Sequence, residues 1–114
     1  VTLLKKIGIK FEDIKKIYIA GGFGTSLDIE KAITIGLLPD LPREVFTFVG
    51  NSSLIGSREI LLSYGTMKKA EEVARQMTYI ELSAEPAYMD EYIASLFFPH
   101  TDLSRFPTVM LQKE

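Results

Sequence analysis

The stretch Ile17-Tyr18-Ile19-Ala20-Gly21-Gly22-Phe23-Gly24 decides how this 114-residue chain is read. A β-branched and aromatic run, Lys16 to Ala20, predicts a short buried strand, and the glycines that follow it predict a turn. Three glycines and an alanine leave that backbone bare. A flat base or a phosphate can approach it closely, and a following helix N-terminus adds exposed N–H donors. The architectural alternative is a tight turn that needs positive φ and binds nothing. Two familiar nucleotide loops do not fit. A P-loop requires lysine and then Ser or Thr after its last glycine, but Thr25-Ser26 follow Gly24 without a lysine. The dinucleotide fingerprint requires a further glycine where Leu27 stands.

Downstream, Asp28 is a good N-cap for a short helix from Ile29 to Gly36, with Ile29, Ala32 and Ile33 on one face. Leu37-Leu38-Pro39 ends it. A second strand, Val45 to Val49, closes on Gly50-Asn51-Ser52-Ser53, and a helix from about Leu54 to Ser63 follows. The order strand, glycine turn, helix thus occurs twice, at a spacing that suits a parallel βαβ unit. Met67, Ala70, Val73, Ala74 and Met77 predict one apolar helical face, and Tyr79 to Leu82 predict a third strand. Pro86 opens a last helix with the stripe Met89, Ile93, Leu96 and Phe97, which reads first as core, with exposure of part of it the alternative if the chain is cut from its partner. Upstream, Val1 to Ile7 read as the end of a helix stopped by Gly8. The expected fold class is α/β: three-layer, with parallel βαβ units and a C-terminal helix. One domain is expected over residues 1–114, with 100–114 a loosely ordered tail.

Composition narrows the function classes. A hydrophobic content of 46% with 25% charged residues is that of a folded globular chain. A net charge of −2 without a basic patch argues against nucleic acid as a partner. No apolar run approaches the roughly 20 residues that span a bilayer, so no membrane partner is expected. The chain contains no cysteine, which excludes disulfides, a thiolate nucleophile and any cysteine-ligated zinc or iron–sulfur centre within these residues. This suits a cytoplasmic protein. With Val1 rather than methionine at its start and Leu3, Leu4 and Ile7 at helical spacing, the chain is expected to be a C-terminal piece of something larger.

Other chemistry-bearing residues have plainer readings. His100 is the single histidine and is expected to hydrogen-bond into the terminal turn rather than to bind metal. Asp90-Glu91 is a candidate acid–base pair, but adjacent helical residues point about 100° apart, so a solvated face is expected. Ser52-Ser53 lack a visible base and read as helix caps.

The strand entering Ala20-Gly21-Gly22-Phe23-Gly24 resembles the adenosine motif of the actin, sugar-kinase and heat-shock-chaperone ATPase superfamily. Within it, the chain is most similar to the C-terminal ATPase domain of the reductive activators of corrinoid proteins, a partly ribonuclease-H-like fold. The likeness continues through Asp28-Ile29-Glu30, Ile35 to Pro39, Phe48 to Asn51, Tyr79 to Ser83, Met89-Asp90-Glu91 and Phe98 to Thr101, roughly residues 14–109. The resemblance implies an ATPase, often a homodimer, in which ATP with Mg drives electrons from an N-terminal [2Fe–2S] domain to the cobalt of a corrinoid protein. Gly21, Gly22, Phe23 and Gly24 would then border the adenosine, with Asn51 and Ser52 as an extension. The superfamily's two phosphate loops and magnesium-handling carboxylates have no counterpart here, so no hydrolysis is expected from these residues alone. The competing class is a dimerisation or corrinoid-protein-docking module whose glycine turn is only architectural.

Overall fold

The computed structural model describes residues 1–22 and 26–111. Helix α1 (Thr2–Ile7) ends on Gly8, whose φ of 70° gives the left-handed C-terminal stop. Strand β1 (Ile17–Ala20) and strand β2 (Phe46–Gly50) form the described sheet, and helix α2 (Ile29–Thr34) lies between them in the chain. At one end the Lys16 ammonium donates to the Glu44 carbonyl; at the other the Gly21 N–H donates to the Gly50 carbonyl. Both strands therefore run the same way, as the βαβ order requires. Helices α3 (Ser52–Leu62), α4 (Tyr64–Gln76), α5 (Tyr88–Ala94) and α6 (Pro107–Leu111) follow. No described helix is long and apolar enough to cross a membrane.

The chain divides into two compact units. The first comprises Val1–Ile17, Leu27–Thr47 and residues from Glu81 onward. Among the described residues its buried side chains are Ala32 and Ile33 of α2, Phe46, Pro99, His100, Phe106 and Val109. Asp28 caps α2 by accepting the Lys31 N–H, as its sequence position predicts. The chain leaves α2 through Gly36 at φ 79°, where a Cβ would lie 2.0 Å from the Pro99 carbonyl oxygen. Only glycine fits that crossing.

Residues 100–111, expected as a loose tail, supply three of this unit's buried side chains. The reason is polar as well as apolar. The Asp40 side chain is 2% exposed, and its carboxylate accepts from the Thr108 N–H and hydroxyl, both at 2.7 Å, and from Arg43 at 3.1 Å. Burial works against the charge of Asp40, but the Thr108 and Arg43 hydrogen bonds outweigh it and hold the carboxyl below its ordinary pKa. Arg43 also grips Glu30 with two donors, at 2.6 and 2.7 Å.

A second cluster joins α1, α5 and the turn Leu103–Arg105. Glu91 accepts from Lys5 and from Arg105, the latter at 2.9 Å, with its side chain only 12% exposed. Glu91 therefore does not lie on a solvated face. Hydrogen bonding from Arg105, then Lys5, lowers its pKa to about 2 against the cost of burial.

The second unit comprises Tyr18–Ser26 and Phe48–Ile80. Helices α3 and α4 meet at Ser63, which ends one and caps the other by accepting the Thr66 N–H. Neither helix buries a side chain among the described residues.

Three sequence expectations change. Strand β1 is not buried on both faces but alternates, leaving Tyr18 66% exposed. Tyr79 to Leu82 form no strand. Glu81 instead caps a 3-10 turn, Leu82–Ala84, by accepting the Ser83 N–H, which takes the segment's end out of extended conformation. The stripe Met89, Ile93, Leu96 and Phe97 is exposed rather than core, and α5 stops at Ala94 before its last two members.

Two outcomes are expected. Gly36→Ala loses about 1–3 kcal/mol from its backbone conformation alone, more if Pro99 is displaced, measured by urea unfolding. Glu91 contributes stability that is complete above its unfolded pKa near 4.5 and lost as pH falls toward 2. The stability gap between wild type and Glu91→Gln is thus widest near neutrality and closes by about pH 2.

Candidate functional site

The glycine edge lies within the second unit. β1 ends at Ala20, and Gly21 turns the chain at φ 79°. Its N–H donates to the Gly50 carbonyl at 2.7 Å, and Gly50, at the end of β2, has φ 62°. Two left-handed glycines thus sit side by side at the carboxyl ends of two parallel strands, the edge at which open α/β sheets take ligands. Gly21 and Gly22 are exposed, and a Cβ built on Gly21, Gly22 or Gly50 would meet nothing within 4 Å. Among the described residues, no side chain stands within 4 Å of where those Cβ atoms would lie. Phe23 and Gly24 lie outside the described residues.

Asn51 and Ser52 follow directly. The Asn51 side chain accepts the Leu54 N–H at 3.0 Å, so Asn51 is the cap of α3 rather than Ser52 or Ser53, and Ser52 is the first helical residue. Gly50 is a member of this edge that sequence reasoning passed over as a candidate. Its signal was available, since it closes β2 as Gly21 closes β1.

The remaining candidates fall outside this edge. The Asp102 N–H donates to His100 Nδ1 at 2.9 Å, and the ring stacks on Phe106, which is the structural role expected of it. Asp90 and Glu91 do not form a dyad, because Glu91 is engaged by Lys5 and Arg105. Among the described residues no group of histidines or carboxylates is arranged to hold a metal ion. A larger cleft of about 560 Å³ belongs to the first unit, lined by Phe11, Leu37, Pro39, Leu41 and Phe106 with Asp40, His100 and Arg105. Two of its charged groups are engaged within the protein, Asp40 by Thr108 and Arg43, and Arg105 by Glu91 and Asp102, and Glu12 lines it as well.

The family model described as the C-terminal domain of RACo, the ASKHA domain, matches residues 1–110. The chain belongs to this family. It is 33% identical over 96 residues to the corrinoid activation enzyme RamQ of Eubacterium limosum, covering 84% of this chain and 16% of that protein. It is 28% identical over 100 residues to the [Co(II) methylated amine-specific corrinoid protein] reductase of Methanosarcina barkeri, covering 86% and 18%. A solved structure of a reductive activator for corrinoid, iron–sulfur protein superposes with a TM-score of 0.89 at 50% identity, covering 94% of this chain and 17% of that one. The chain therefore spans about a sixth of the length of these relatives. The ASKHA assignment agrees with the α/β class and with the parallel strand pair.

The two exposed glycines separate strain from access. Gly21→Ala is expected to lose about 1–2 kcal/mol of stability because alanine resists positive φ. Gly22, whose φ is not positive, is expected to accept alanine nearly without cost. Paired denaturant titrations check both.

Proposed function

We propose that this domain supplies the adenosine-binding side of the nucleotide site in an ATP-dependent reductive activator of corrinoid proteins. The observation that carries the reading is the left-handed pair Gly21 and Gly50, hydrogen-bonded side by side at the carboxyl ends of the parallel strands, with no described atom within 4 Å of a Cβ built on either. A purine is flat and apolar on its faces. It needs a surface without Cβ atoms more than it needs charge, and this edge fits that requirement. Family membership and the printed activities of the relatives support the same reading.

In this proposal Gly21, Gly22, Phe23 and Gly24 border the adenosine, with Asn51 and Ser52 flanking it. Hydrolysis of the γ-phosphate requires positive charge and oriented donors at that phosphate. Those groups, with the carboxylates that handle Mg, belong to other parts of the proposed activator. The same holds for its [2Fe–2S] centre, since this chain has no cysteine to ligate one. When bound, ATP supplies the free energy for an otherwise uphill one-electron reduction of a corrinoid cobalt. The role of this chain is to bind and orient the adenosine end. The activator is proposed to be a cytoplasmic homodimer whose partner is a corrinoid protein, with neither nucleic acid nor membrane engaged.

The test is calorimetric titration of the intact activator with ATP. Wild type is expected to bind, and Gly22→Leu to weaken binding by at least about tenfold, since leucine covers the surface on which the ring would lie. Circular dichroism establishes that the variant is folded. Unchanged affinity in a folded Gly22→Leu protein would instead favour the domain as a docking or dimerisation module. The exposed apolar side chains of α3 and α4, Leu61 and Val73 among them, are compatible with that second reading.

A further inference from the structure

Asn51 stands one residue beyond the carbonyl that holds the glycine turn. Its side-chain oxygen accepts the Leu54 N–H at 3.0 Å, and its backbone carbonyl accepts the Ile55 N–H at 3.1 Å. Together these two bonds close the first turn of α3. Packing gives that turn little help, because no side chain of α3 is buried among the described residues. A helix without buried anchors depends on its cap for the position of its first turn.

Immediately before the cap, Gly50 is left-handed, and its carbonyl receives the Gly21 N–H. The Gly50–Asn51 peptide is thus held on one side by β2 and on the other by the capped start of α3. Loss of the cap lets that turn fray and frees the peptide to rotate. Gly21 then loses the acceptor that fixes its own turn.

We infer that Asn51 is a positioning residue: it holds the Gly21–Gly22 edge in place through Gly50 and does not itself contact a bound nucleotide. This rests on the proposal that the edge receives adenosine. It assigns to Asn51 a role different from direct contact, and the two roles make opposite demands on the side chain. Capping needs a short acceptor and tolerates the loss of the carboxamide. Contact with a base needs the carboxamide and tolerates the loss of the cap.

The experiment uses four variants of the intact activator, each titrated with ATP and with adenosine. Asn51→Ser and Asn51→Thr keep a capping oxygen without the amide. Asn51→Gln keeps the amide on a chain one methylene too long to close the same ring, and Asn51→Ala keeps neither. The expected result is affinity within about twofold of wild type for Ser and Thr, and a roughly fivefold loss for Ala and Gln, the ratio that corresponds to a lost cap. Hydrogen exchange supplies a second readout. The Leu54 amide is expected to exchange faster in the Ala and Gln variants and to stay protected in Ser and Thr.

Retained affinity in Gln with loss in Ser and Thr overturns the inference in favour of direct contact. Equal affinity in all four, or equal loss in all four, overturns it as well. An activator that binds no ATP, or one whose Gly22→Leu variant binds it unchanged, overturns the underlying proposal and this inference with it.

Discussion

One peptide hydrogen bond, from the Gly21 N–H to the Gly50 carbonyl, organises the end of the molecule where a ligand can approach. It joins two residues that are both left-handed, one just after β1 and one at the end of β2. Glycine is required at both positions for conformational reasons. The bare surface that results is a consequence of the same requirement. Architectural and ligand-binding explanations of the motif are therefore not rivals at Gly21, where the geometry demands glycine in any case. They part at Gly22, whose backbone makes no such demand.

The first unit is held by a different physics. Its apolar core is small, and two carboxylates with little exposure take on much of the work of joining distant segments. Asp40 ties the loop after α2 to the start of α6, and Glu91 ties α5 to Lys5 and Arg105. Such groups are costly to bury and stay charged only when their donors are all in place.

Much of this was legible in the sequence because it is local. The cap at Asp28, the stop at Gly8, the strand–glycine boundary at Ala20 and the turn role of His100 all follow from residues within a few positions of one another. What was not legible is long-range. Nothing in the spacing of Asp40 and Thr108, 68 residues apart, announces that they meet, and so the last segment read as a loose tail. The Tyr79 to Leu82 segment failed for the opposite reason. Its composition suits a strand, but a strand is defined by a neighbour, and composition cannot provide one. At the candidate site, the glycines after β1 were visible, whereas Gly50 acquires its meaning only when β2 is laid beside β1.

The Asp40–Thr108 connection bears on how much of this chain a shortened protein can dispense with. Two of the donors that keep the Asp40 carboxylate satisfied come from a single residue, Thr108. A trimming that stops at Pro107 or earlier leaves a carboxylate with 2% of its side chain exposed to find water or a proton instead, a penalty of about 1–3 kcal/mol for each unmet group. For a domain of this size that is a large share of the whole margin. Boundary choices for expression are thereby constrained by a hydroxyl and an amide, more than by where the last helix happens to fade.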